Sequence, residues 1–158
     1  MAKKYQLTLK GYVGDVDFDS DYVDYVLAHN EGAEVNVLIN SLGGSINTAL
    51  SIASAFSRHG NVHVHFSGMN ASAATIASLG AKHITMDSCA MYLVHKCSVR
   101  FFEYGQLNAD QLDDLKKNVS QTIDDLNKID AVVAQMYAKK CKKDKKALLK
   151  LMKIGGWL

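Results

Sequence analysis

The sequence predicts an α/β fold, with parallel strands joined by crossover helices and one long amphipathic helix towards the C-terminus. Three observations predict it. Two strand–helix units follow one another between residues 34 and 81, and consecutive units of that kind build a parallel sheet with right-handed crossovers. A stretch of small residues, Ser67 to Ala81, follows directly on an alternating apolar run, so strand gives way abruptly to helix. From Leu112 to Met136 apolar residues recur every three or four positions, the spacing of one helix face.

The 158 residues suffice for one domain with a sizeable core, and 48% hydrophobic against 22% charged residues is an ordinary globular balance. No apolar run approaches the ~20 residues that cross a bilayer. The N-terminus, Met1-Ala2-Lys3-Lys4-Tyr5, starts with positive charge but lacks the apolar stretch of a signal peptide. Cys89, Cys97 and Cys141 are odd in number and have no C-x-x-C spacing, which fits free thiols in a reducing cytoplasm better than a disulfide framework or a zinc site. The net charge of +2 is unevenly placed, with eight lysines against Asp144 alone between residues 139 and 153. A lysine cluster can bind phosphate backbones, but this one lacks interleaved aromatics and arginines. A solvated helix end is the better account, and nucleic acid is not an expected partner.

Tyr5 to Lys10 alternates with period two and predicts a strand; Gly11 to Asp19 predicts an acidic turn. Ser20 or Asp21 can cap a helix carrying Tyr22, Val23, Val26 and Leu27, with Gly32 just beyond its end. Glu34 to Asn40 is β-rich, and Ser41-Leu42-Gly43-Gly44-Ser45 reads as a tight glycine loop before a helix bearing Ile46, Ala49, Leu50, Ala53 and Phe56. Adjacent glycines at such a turn can expose backbone N–H groups to an anion, yet neither phosphate-loop glycine pattern is present, so the pair by itself predicts a turn. Val62 to Phe66 predicts a strand with His63 and His65 on one face. An H-x-H pair can ligate a metal, but no third ligand lies nearby in sequence, and neither metal nor cofactor is expected.

A strand turning sharply into a helix at Gly68–Ser72 puts a hydroxyl at a helix N-terminus, where N–H groups are unpaired and the dipole favours developing negative charge. A serine hydrolase needs that geometry for its nucleophile and oxyanion hole. Serine in the same place also serves as an ordinary N-cap or packing residue, and these residues alone leave both readings open. His83 to Met86 predicts a short strand and Asp87-Ser88 a turn; Met91 to His95 is an apolar run whose terminal histidine is the best candidate for a general base. Lys96 to Gln106, with Phe101, Phe102 and Tyr104, predicts an extended excursion. Asn108 with Gln111 resembles a capping box, opening the long helix, on the order of 40 Å, whose narrow stripe can pack on the domain or form a subunit contact. Lys142 to Met152 predicts a short basic helix carrying Leu148, Leu149 and Met152.

Three motifs in order, Asn40-Ser41-Leu42-Gly43-Gly44-Ser45, Gly68-Met69-Asn70-Ala71-Ser72-Ala73-Ala74 and Met91-Tyr92-Leu93-Val94-His95, make the chain resemble the proteolytic subunit of Clp protease. It looks closest to the Clp-like serine proteases of phages and prophages, of head maturation type, from about Tyr5 to its last residue. The resemblance implies a ClpP/crotonase-like stack of ββα units forming a single domain over 1–158, with a long handle at about 96–137. It implies a serine endopeptidase with Ser72 as nucleophile, His95 as base, and an oxyanion hole from the N–H groups of Gly44 and Ala73. It further implies peptide or protein substrates, a cytoplasmic homo-oligomer whose handles interlock two heptameric rings, and an ATPase unfoldase or phage capsid proteins as partners.

The chain departs from that pattern in three places. Leu42 stands where the glycine loop usually carries proline. The third triad member should be an acid two residues before an aromatic followed by Leu or Met; Trp157-Leu158 supplies that pair, but Gly155 occupies the acid's position. The family usually continues beyond this point into a segment with its own small helix and strand, so the resemblance predicts either a truncated product or a lost tail. Asp87, Asp113 and Asp114 are the substitutes the sequence offers for orienting His95. Gly155 also motivates a second reading, a catalytically impaired homologue acting as a structural or assembly protein. A third, an acyl-CoA enzyme on the crotonase architecture, is opposed by the presence of Ser72 and His95 together.

Overall fold

The computed structural model describes residues 5–157; the N-terminal reading at residues 1–4 and the last residue of the Trp157-Leu158 pair lie outside them. The chain divides into two compact units, Met1–His95 with Ile154–Leu158, and Lys96–Lys153.

In the first unit, strands β1 (Leu7–Val13), β2 (Val35–Gly44), β3 (Val62–Phe66) and β5 (His83–Met86) form a parallel sheet in the order β1-β2-β3-β5. Strands β4 (Met69–Ala71) and β6 (Met91–Leu93) form a second, two-stranded parallel sheet. Register places Leu7 beside Val37 and Val37 beside Val64, so one face of the larger sheet is a continuous row of buried aliphatic side chains. Helix α2 (Ile46–His59) buries Ala49, Ile52, Ala53 and Phe56 and packs against α1 (Ser20–Ala28) and the short α3 (Ala73–Ala77). Each large aliphatic or aromatic side chain buried in this way contributes roughly 1.5–3 kcal/mol. The approach of α2 to the turn after α3 is close: a Cβ on Gly80 would lie 1.8 Å from the Ala53 carbonyl oxygen.

Two predicted boundaries move. The cap of α1 is Asp19, whose carboxylate accepts from the N–H groups of Asp21 and Tyr22 at 3.2 and 3.3 Å, instead of Ser20 or Asp21. Asp19 is the last extended residue before the helix, as an N-cap must be. The helix ends at His29, so Gly32 is not its cap. Residues 41–44 are not a tight turn either. β2 continues through Gly44 because β1 continues to Val13 and pairs with it, Tyr12 opposite Gly43 and Val13 opposite Gly44, past an irregularity between Lys10 and Tyr12. The turn comes at Ser45, whose hydroxyl caps α2 by accepting from the Thr48 N–H at 3.2 Å.

In the second unit, α4 (Ala109–Cys141) is 33 residues, about 50 Å at 1.5 Å per residue. The capping box is present: Asn108 accepts from the Gln111 N–H and Gln111 accepts from the Asn108 N–H, both at 3.0 Å. Lys142 adopts a left-handed conformation (φ 53) that ends α4, which is why α5 (Lys145–Ile154) starts three residues later than its composition predicts. The carboxylate of Asp130, buried on α4, accepts from the Cys97 N–H at 2.8 Å and lies 3.3 Å from Lys96 Nζ. The Lys96 N–H donates to the Met152 carbonyl at 3.1 Å, so the start of the extended stretch is tied to both helices.

Candidate active site

The candidate site is built at the end of β4. After β3 the Ser67 N–H donates back to the Ile39 carbonyl at 3.1 Å, Gly68 turns with φ 65, and Met69–Ala71 forms β4 before the helix begins. Ser72 sits between strand and helix at φ 58, ψ −127. A side chain other than glycine in that region costs about 1–3 kcal/mol of strain, which persists only where the surroundings enforce it. They do so here through the backbone: the Ser72 N–H donates to the Leu93 carbonyl at 3.1 Å, and its own carbonyl accepts from Thr75 N–H, Ile76 N–H and the Thr75 hydroxyl at 3.0, 3.2 and 2.7 Å. The Ser72 hydroxyl makes no capping hydrogen bond to α3, although the residue occupies the N-cap position. A serine on a strained strand-to-helix turn with its hydroxyl not committed to the cap has the form of a nucleophile elbow.

The end of β2 abuts this serine. A Cβ on Gly43 would fall 2.7 Å from Ser72 Cβ and 2.9 Å from the Ala71 carbonyl oxygen, so only glycine permits the approach. The Gly43 N–H is taken by Ser41 Oγ at 3.1 Å. Gly44 pairs with Val13, and the Ser45 N–H that follows it donates to the Val13 carbonyl at 2.7 Å. Ala73 is the first residue of α3, where N–H groups have no acceptor within the helix. Beside Gly43 an open groove of about 440 Å³ is lined by Gly11, Tyr12 and residues 40–44, with Leu42 exposed at its edge.

His95 lies just past the end of β6, the strand that pairs with β4. Ala71 pairs with Leu93 in parallel, so Ser72 leaves its strand one residue, and His95 two residues, beyond the same rung. The C-terminal residues close on this strand: Trp157 bridges Leu93 in antiparallel sense, and a Cβ on Gly155 would lie 3.9 Å from His95 Cβ. The position where the sequence lacks an acid is therefore adjacent to the histidine, and Gly155 is held there at φ 65.

Of the three substitute acids, Asp87 pairs with a different histidine. Asp87 Oδ1 is 2.9 Å from His65 Nε2, whose Nδ1 is 2.8 Å from Thr85 Oγ1. Asp113 and Asp114 are on α4 in the other unit, where Asp114 pairs with Lys117 at 3.1 Å. His63 lies edge-on to His83, with ring centroids 4.7 Å apart, and 3.7 Å from Glu34. Among the described residues no three His, Cys, Asp or Glu side chains are grouped to hold a metal. The three cysteines are free; burial, followed by the Asp130 carboxylate, pushes the Cys97 thiol up to about 11.

Sequence reasoning passes over Asn70. Its side chain is fully buried and bonds to the backbone of both motifs. The available signal was a lone amide among small and apolar residues, which a turn explains equally well.

A family model described as Clp protease matches residues 20–158. None of the curated proteins matches the chain in sequence. Among solved structures, a mutant ClpP1 from Listeria monocytogenes is similar with a TM-score of 0.77, covering 96% of this chain and 81% of that one at 15% identity. At that identity the likeness is one of fold, and the fold is ClpP-like.

Proposed function

This chain belongs to the Clp protease family, and from that premise we propose that it is a serine endopeptidase in which Ser72 is the nucleophile and His95 its base. The observation that carries the reading is the strained backbone of Ser72 at φ 58, ψ −127, with a hydroxyl that does not cap the following helix. Ser72 Oγ attacks the peptide carbonyl carbon as His95 takes its proton. The resulting oxyanion faces the N–H groups of Ala73 and Gly44, and each such donor contributes about 10²–10³ in kcat. Collapse breaks the C–N bond, and His95 returns the proton to the departing amine. Water, deprotonated by His95, then attacks the acyl-enzyme; the carboxylic product leaves and Ser72 regains its proton. The groove beside Gly43 is the proposed place for the substrate chain.

Gly155 stands at the position where the family pattern has the triad acid. In a Ser-His-Asp enzyme the acid fixes the histidine tautomer, and its removal costs about 10⁴ in kcat. The chain works in a homo-oligomeric ring built through α4. We place it in the cytoplasm, with an ATPase unfoldase or phage capsid proteins as its partners. Gly155 also favours the second reading, an assembly protein that retains the fold without the chemistry. Cleavage of a fluorogenic peptide by the wild type, lost in Ser72→Ala and in His95→Ala, supports the protease. Cleavage that survives Ser72→Ala overturns the assignment, and a folded wild type without any cleavage favours the assembly protein.

A further inference from the structure

Asn70 is the one fully buried amide in the nucleophile stretch, and every hydrogen bond it makes joins that stretch to another backbone segment or to its own turn. Its Oδ1 accepts from the Ser41 N–H at 3.2 Å. Its Nδ2 donates to the carbonyls of Ser67 at 3.0 Å and Gly68 at 3.4 Å. Ser41 passes the connection on: its hydroxyl donates to the Gly11 carbonyl and accepts from the Gly43 N–H at 3.1 Å. A single side chain thereby ties the turn that leads to Ser72 to the strand end that leads to Gly43 and Gly44.

We propose that Asn70 is a positioning residue for the reaction, fixing the Gly43–Gly44 backbone against Ser72 so that the oxyanion donor and the nucleophile stay in one geometry. This rests on the reading of Ser72 as nucleophile. The physical reason is that β4 and β2 do not pair with each other, β4 pairing with β6 and the end of β2 with β1. The β2–β3 ladder ends with the Ser67 N–H on the Ile39 carbonyl at 3.1 Å, two residues before Ser41, and beyond it, among the described hydrogen bonds, no ladder joins the two halves of the site. A buried amide does so with both an acceptor and donors, which neither a hydroxyl nor a carboxylate can match at this size. The cost of losing it falls on the transition state, because an oxyanion donor displaced by a fraction of an ångström stabilises little.

The test is the rate constant for labelling by a fluorophosphonate, followed by intact mass and expressed per serine that finally reacts. Wild type and Val23→Ala, a destabilised control in α1, are expected to label once per chain at the same rate. Asn70→Ala is expected to label once per chain but at least about fivefold more slowly. Asn70→Asp keeps the volume and the acceptor for the Ser41 N–H while losing both donors; it should be slowed as well, and it carries the test if Asn70→Ala does not fold. A purely structural role would lower the number of reactive serines and leave the rate of each unchanged. That result, or a slowing of less than about fivefold, overturns the proposal. A folded wild type that does not label at all overturns the nucleophile reading instead.

Discussion

Ser72 and Gly155 are the two residues on which the proposed chemistry turns: one is held at φ 58, ψ −127 between strand and helix, and the other stands beside His95 where the family pattern has an acid. Gly155 has a left-handed φ of 65, the conformation that Asp and Asn tolerate best among residues with a side chain. The nearest atom to a Cβ added there is His95 Cβ at 3.9 Å. Gly155→Asp should therefore raise kcat for peptide cleavage by about tenfold or more, recovering part of the ~10⁴ that a triad acid supplies. Gly155→Ala, which adds the same strain without the carboxylate, should not raise it. The places of Ser72 and His95, just past the ends of β4 and β6, were legible in the sequence because each follows a short run of small or apolar residues. Asn70 was not, since its burial is created by the return of β2, some thirty residues earlier in the chain. Gly44 and Ala73 were assigned from resemblance, and their backbone conformations could not be read from side-chain pattern.

At the scale of elements, periodicity located β3 and β5 residue for residue and the capping box located the start of α4, because local pattern and tertiary burial agree there. β2 outran its prediction since pairing with β1 overrides the turn propensity of Gly43 and Gly44. β4 and β6, three residues each, are too short to show a period. In the second unit, Asp130 is the buried acceptor that orders residues 96 and 97. Asp130→Ala leaves the Cys97 N–H without that acceptor and should cost about 1–3 kcal/mol in thermal or chemical unfolding. The Cys97 thiol is raised from 9.0 to about 11, so at pH 8 Cys89 and Cys141, both exposed, should alkylate readily and Cys97 should resist. Asp130→Ala should speed the reaction of Cys97. The sign for stability follows: the folded state holds this proton more tightly than the unfolded one, so stability falls as pH rises from 9.0 towards about 11. Cys97→Ala should remove that part of the fall.

For the whole molecule, the first two-thirds of α4 carries an apolar stripe with little cover: Leu112 and Ile123 are each 52% exposed. A monomer that left such a stripe in water would be prone to associate. Sedimentation should therefore give a multiple of the chain mass of 17.3 kDa. Ile123→Asp should shift the distribution towards smaller species without unfolding the first unit; an unchanged distribution would mean that α4 is not the contact. The most direct test of the proposed chemistry is intact mass after incubation with a fluorophosphonate, beside Ser72→Ala. A single adduct on the wild type that is absent from Ser72→Ala is the predicted result, and would show an activated serine despite Gly155. An unmodified, folded wild type, or an adduct that persists in Ser72→Ala, would contradict it.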